Sequence, residues 1–164
     1  MTRFTDLYVE QDSEGIFDLV IDEDERDFEL TDGLDSAIIV SLFSDRRAYA
    51  DEVQDPWKRR GWIGDLVSEE PNDRHGSGLW LYEQRRLTQD TAIGVRNEAV
   101  QSLEWMQDEA LVTQVEADVL SYPEHRRVDL RITLQLLDGG VVQRAYALAD
   151  ATRTGILYGS GRSN

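Results

Sequence analysis

Cysteine is absent from the 164 residues, which removes disulfides, thiolate nucleophiles and cysteine-based zinc sites together. Lysine is almost absent: of the 17 basic residues only Lys58 is a lysine, and the other 16 are arginines. Arginine offers a planar fork that binds carboxylates bidentately and stacks on aromatic rings, so the bias suits fixed ion pairs and interfaces, although a GC-rich genome produces the same skew. The two histidines, His75 and His125, lack the HxH or HxxxH spacing of a metal pair. Neither a metal nor a cofactor is expected. No apolar run approaches the 18 or so residues that span a bilayer, and the first residues, MTRFTDLYVEQD, lack a signal-peptide core. The protein is expected to stay in the cytoplasm where it is made. Positive charge is also scarce, with 33 acids setting the net charge at −16. Such a chain disfavours nucleic acid and anionic membranes, whose phosphates need basic side chains.

A chain of this length is expected to form one domain, residues 1–150, burying about 70% of the surface its unfolded form exposes. Leu7–Val9 and Phe17–Ile21 are short apolar runs around the turn-forming Gln11–Gly15, and they predict a hairpin. Phe28–Leu30 is a further extended piece. Thr31 or Asp32 can cap a helix over Leu34–Phe43, where Leu34, Ile38 and Leu42 share a face. A short helix is predicted over Ser77–Leu87, and Thr88 caps a longer one to about Glu109, with Ala92, Val95, Ala99, Leu103, Met106 and Ala110 as its buried stripe. The period then changes to two, through Val115–Val119 and Val128–Leu136, and Asp138-Gly139-Gly140 turns the chain into Val141–Leu148. The prediction is an α+β fold: a small antiparallel sheet with three helices packed on one face, in the order ββ-α-α-α-βββ. Residues 151–164, rich in Gly and Ser, are expected to form a flexible tail.

Between the first two helices, Asp45 to Trp80 shows no sustained period, and a connection of that length is usually functional or an interface element. It carries three of the four tryptophans, and five of the 17 basic residues lie between positions 46 and 62 against three acids. Internally, Arg46, Arg47, Arg59 and Arg60 can pair with Asp45, Asp55, Asp65 or Asp73 while Trp57, Trp62 and Trp80 pack the loop onto the helices. Burial is favoured for Trp62 and Trp80. At an interface the same residue types serve as hot spots, and the arginines stand open between the two roles.

Catalysis has little support. A glycosidase needs two acids about 5 to 9.5 Å apart in a cleft, and Glu69-Glu70 and Asp22–Asp27 read as solvated loop acids. Ser77 lacks the GxSxG frame of a nucleophile and is better read as a helix N-cap. No Gly-Lys-Ser/Thr follows Gly76-Ser77-Gly78 to mark a phosphate site. No catalytic residue and no small-molecule substrate are assigned.

Four stations nevertheless occur together: Asp32-Gly33-Leu34, Ser41-Leu42-Phe43-Ser44-Asp45-Arg46-Arg47-Ala48, Arg59-Arg60-Gly61-Trp62-Ile63-Gly64-Asp65 and Gly76-Ser77-Gly78-Leu79-Trp80-Leu81. In this order they resemble the Mu-like phage gene-product-46 family over roughly residues 5–150. That family is similar to the gene-25-like, lysozyme-like wedge proteins of contractile-tail baseplates. The resemblance implies a structural subunit of a phage or prophage baseplate that joins other wedge proteins, contacts sheath or tube proteins and initiates the sheath. It would assemble in the bacterial cytoplasm and end in the virion tail. A sheath arm could add to the C-terminal hairpin, Val128–Leu148, with Glu116, Asp118, Asp129 and Arg131 guarding the edge beforehand. Arg46, Arg47, Trp57, Arg59, Arg60, Trp62, Asp65 and Trp80 are the interface candidates. The alternative is a cell-wall glycosidase acting in penetration.

Overall fold

Leu34, Ile38 and Leu42 are buried together: in a computed structural model of the chain Ile38 and Leu42 stand on helix α1 (Asp35–Phe43) and Leu34 at its N-cap, all but inaccessible to solvent. The structure describes residues 5–11, 17–22, 24, 26–62, 75–83, 85–86, 88–122, 127–149 and 157–159. Neither Thr31 nor Asp32 caps α1. Both belong to a strand, and the N-cap position is Leu34, without a side-chain hydrogen bond. Asp35 in the first turn complements the helix dipole and is gripped through both carboxylate oxygens by Arg144.

Helix α2 (Gln89–Leu103) opens as expected, Thr88 Oγ1 accepting from Thr91 N at 3.2 Å. Val95, Ala99 and Leu103 are buried along it, and the stripe continues into Met106 on one further helical turn, Trp105–Asp108. It stops there: Ala110 has a φ of 53° and is exposed. The helix predicted over Ser77–Leu87 is a single 3-10 turn, Leu79–Tyr82. The architecture is α+β, with two helices of more than one turn rather than three among the described residues.

The apolar faces of α1 and α2 cover one side of an antiparallel sheet, β7 (Val112–Tyr122), β8 (Arg127–Leu136), β9 (Val141–Ala149) and β10 (Leu157–Gly159), in the spatial order 10-9-8-7. The alternation read from the sequence sets the register. Val115 opposes Leu134, Ala117 opposes Ile132, Val119 opposes Leu130, and Leu130 in turn opposes Tyr146. Leu130, Ile132, Leu134 and Tyr146 are fully buried, each such side chain contributing about 1.5–3 kcal/mol. At the β8–β9 turn, Gly139 takes a φ of 86° and Gly140 N donates to Asp138 Oδ1 at 3.0 Å. The expected tail, 151–164, lies outside the described residues except for β10.

The N-terminal strands do not join this sheet, contrary to the single sheet predicted. The expected hairpin is present as β2 (Val9–Gln11) against β3 (Phe17–Leu19), but β1 (Thr5–Leu7) pairs with β6 (Leu30–Asp32) and β4 (Ile21–Asp22) with β5 (Asp27–Phe28). The three ribbons meet where Tyr8 N donates to Glu29 O (2.8 Å), Glu29 N to Val20 O (2.8 Å) and Val20 N to Tyr8 O (3.2 Å). One residue from each crossing segment thus closes a ring of three backbone hydrogen bonds. Ser36 Oγ on α1 donates to Leu7 O beside it.

Candidate functional site

The irregular chain after α1 is tied to the residues before α2. Ser77 N donates to Ser44 O (2.8 Å) and Arg46 N to Ser77 O (2.9 Å), making a parallel bridge between Asp45 and Ser77. Ser77 Oγ, fully buried, donates to Leu42 O at 2.5 Å and accepts from Leu79 N at 3.2 Å. The N-cap position of the short turn is Gly78, not Ser77 as expected, and the Ser77 hydroxyl instead ties the end of α1 to the backbone entering that turn. Gly76 has a φ of 90°, and a Cβ there would lie 2.2 Å from Ser44 O.

Arg46 is the buried centre, only 6% exposed. Its guanidinium reaches Glu52 at 2.7 and 2.8 Å and Glu98 on α2 at 3.0 Å, and it lies over the Tyr49 ring. The hydrogen bonds it donates to Glu52, together with Glu98, outweigh desolvation and hold its pKa well above the usual arginine value. Glu98 also accepts from Gly78 N (2.9 Å), and Glu52 from Tyr49 N (2.7 Å). A side chain at position 78 would strike Glu98 and Arg46.

The third station folds onto the other two. Ala48 N donates to Arg59 O at 2.9 Å, Arg47 donates to the carbonyls of Arg60 (3.2 Å) and Pro56 (3.1 Å), and Gly61 lies so close to the Arg47 backbone that a Cβ would come within 2.5 Å. Arg59 donates to Val53 O (2.7 Å) and Gln54 O (3.1 Å). Arg60 bridges Asp45 (3.2 Å) and Glu83 (3.3 Å) and stacks over Trp80, whose Nε1 donates to Arg46 O at 2.9 Å. Desolvation pulls the Arg60 guanidinium down, but Glu83 and Asp45 more than offset it and leave its pKa raised. The stations Asp45–Ala48, Arg59–Trp62 and Gly76–Trp80 thus form one hydrogen-bonded knot.

Of the predicted acid partners, Asp45 alone receives one of these four arginines in the contacts described; Asp55 pairs weakly with Lys58 (3.8 Å), and Asp65 and Asp73 lie outside the described residues. Trp80 is half-buried as expected. The expected burial of Trp62 is overturned: its ring is 62% exposed, edge-on to His75 at 6.0 Å, in a cleft of about 470 Å³ also lined by Ser44, Asp45 and Gly61. Trp57 is 95% exposed, on the 3-10 turn Pro56–Lys58. Sequence reasoning missed Glu52 and Glu98. The one signal for Glu98 was a carboxylate flanking the Val95–Ala99 stripe, which a buried helix edge tolerates only against a cation.

Chemically the site is closed. Its two central carboxylates are occupied by a guanidinium and backbone amides, and no group of three or more His, Asp or Glu among the described residues could hold a metal.

Residues 34–141 match the family model described as phage protein GP46, a span that includes the whole knot. The chain is 34% identical over 132 residues to "Baseplate protein gp46" of Escherichia phage Mu, covering 79% of this chain and 88% of that protein. It is 31% identical over 117 residues to "Mu-like prophage FluMu protein gp46" of Haemophilus influenzae, covering 71% and 78%.

Proposed function

The chain belongs to the phage protein GP46 family, and from that premise we propose that it is a structural, non-enzymatic subunit of a phage or prophage tail baseplate. The observation that carries this reading is the knot. Arg46, Arg47, Arg59, Arg60 and Asp45 are engaged with one another, with Glu52, Glu83 and Glu98 and with backbone groups, which is what a rigid assembly part needs and a catalyst does not. Trp57 and Trp62 are left outward and serve as contacts to neighbouring wedge proteins, as exposed aromatics on fixed backbone do at interfaces. Arg46, by contrast, supports the contact loop from beneath, and Arg47, Arg59 and Arg60 brace it.

The hairpin Val128–Leu148 expected to receive a sheath arm is interior, β8 lying between β7 and β9 and β9 between β8 and β10, so the sheath-initiating step is assigned instead to β7. It is an outer strand of 11 residues, paired only with β8 among the described residues, so an extended arm of a sheath protein can add to it by backbone hydrogen bonds. Asp118 and Arg131, opposed across β7 and β8, and the exposed Glu116 keep that edge from pairing prematurely. Co-expression with the neighbouring sheath and wedge proteins, followed by hydrogen exchange, tests the assignment: the outward amides of Val112–Tyr122 should slow in the complex. A complex that leaves them unchanged overturns it. Lysis of peptidoglycan suspensions, abolished by a single Asp or Glu substitution, would overturn the structural reading in favour of a glycosidase.

A further inference from the structure

Each ribbon leaves the three-way junction with an apolar cross-strand pair: Leu7 with Leu30, Val9 with Leu19, Ile21 with Phe28. Opposed residues share a face, and so do residues two apart along a strand. Leu7 therefore stands with Leu30, Val9 with Leu19 and Ile21 with Phe28, three apolar pairs set around the junction as a disc. Ile21 (62%), Leu30 (60%) and Phe28 (46%) are strongly exposed. The other half of this apolar disc forms one wall of a groove of about 890 Å³. Val40 on α1 and Trp105 line the same groove; Trp105 is fixed at one end by a 3.0 Å hydrogen bond from Nε1 to Ser41 Oγ while remaining 40% exposed. Glu104 and Asp108, one helical turn apart, also line the groove; among the described residues neither has an ion-pair partner, whereas Arg46 and Glu98, which line it as well, are paired with each other.

We propose that this groove binds an amphipathic helix of another tail protein, its apolar face on the disc and its lysines or arginines against Glu104 and Asp108. The junction ring already uses the backbone groups at the centre of the disc, so the floor offers side chains rather than a strand edge, which selects a helix face over strand addition. The charge selects among occupants. A second copy of this chain would bring another −16 into contact, and nucleic acid or an anionic membrane would be repelled in the same way. The proposal rests on the baseplate reading only in taking the occupant to be a tail protein.

The test uses the full chain and labelled peptides of about 18 residues, one with Leu and Lys at helical spacing, one with Glu in place of Lys, and one a scrambled Leu/Lys sequence. By fluorescence anisotropy the patterned Leu/Lys peptide should bind about tenfold or more tighter than the scrambled one. Leu7→Ser with Leu19→Ser, both lining the groove, should remove that advantage. Leu137→Ser with Val141→Ser, exposed at the far hairpin, should leave it intact. Glu104→Lys with Asp108→Lys retains the apolar disc and should invert the preference toward the Leu/Glu peptide, a change that unfolding of the ribbons cannot produce. Equal binding of patterned and scrambled peptides, or an unchanged preference in the charge-reversed variant, overturns the proposal. Because β7 is untouched, slowed exchange there alongside failure here removes the groove and leaves the baseplate reading; the converse result separates them the other way.

Discussion

Replacing Arg46 with alanine removes the one cation at the centre of the knot. The side chains of Glu98 and Glu52 are only 14% and 25% exposed, so two carboxylates would be left poorly hydrated and facing each other's charge. Breaking a buried pair by deleting one partner costs roughly 3–5 kcal/mol. Here each carboxylate retains one backbone amide, from Gly78 and Tyr49 respectively, which places the expected loss near the lower end, about 3–4 kcal/mol. At roughly 2–4 °C per kcal/mol for a chain of this size, the melting temperature should fall by about 6–16 °C. Urea unfolding followed by far-UV circular dichroism measures the loss directly. Glu98→Gln in the Arg46→Ala background should cost less than the sum of the two single changes, by about 1–3 kcal/mol, because the two groups stabilise each other. A loss below about 1 kcal/mol for Arg46→Ala, or strict additivity with Glu98→Gln, would refute the claim that this ion pair organises the loop.

Trp62→Ala should cost under about 1 kcal/mol, since its ring is mostly in water, whereas Leu134→Ala at the sheet centre should cost about 2–5 kcal/mol; chemical denaturation compares them. Trp57→Ala should leave stability within about 0.5 kcal/mol yet reduce co-purification with a wedge neighbour, and unchanged co-purification would remove Trp57 from the interface. Gly76→Ala should lose at least about 2 kcal/mol or fail to accumulate as folded protein, because it combines a left-handed backbone with a collision on Ser44 O. Burial, then the charge of Glu98, raises the pKa of Tyr82 above the ordinary tyrosine value. The folded state therefore binds this proton more tightly, so its contribution is complete below about pH 10 and declines as pH rises through the folded value. Tyr82→Phe should flatten that alkaline decline in a pH series of urea midpoints.

The parts legible in the sequence were those with a sustained period. Leu34, Ile38 and Leu42, the Val95–Met106 stripe and the alternation from Val115 to Leu136 located both helices and three strands of the sheet, and Asp138-Gly139-Gly140 located a turn. The ribbon junction was illegible because its strands are two or three residues long, too short to display a period, and their pairing depends on three single-residue crossings. Ser77–Leu87 had a plausible cap and apolar residues, yet a single 3-10 turn results. Tyr82, within that turn, closes against Gly94 on α2. In the candidate site the right residues were visible, but their partners were not. Arg46 meets Glu98 across 52 positions, and Arg47 and Arg59 meet carbonyls, which every residue carries and no motif announces. Trp62 misled because aromatic size favours burial on average, while here it follows Gly61, held at a φ of 90° against the Arg47 backbone, and stands in an open cleft beside His75.

The loop from Ser44 to Trp62 has a further thermodynamic consequence. It contains almost no regular secondary structure, and a loop of that kind would ordinarily be expected to lose conformational freedom when it meets a partner. In this chain Arg47 and Arg59 clamp the loop's own carbonyls, Arg46 fastens it to α2, and Trp80 anchors its backbone. The ordering entropy is thus lost when the monomer folds, and a partner meeting Trp57 and Trp62 encounters rings whose backbone is already in place. If Trp57 and Trp62 form the proposed joint, binding there needs only a modest contact area, because no loop has yet to fold.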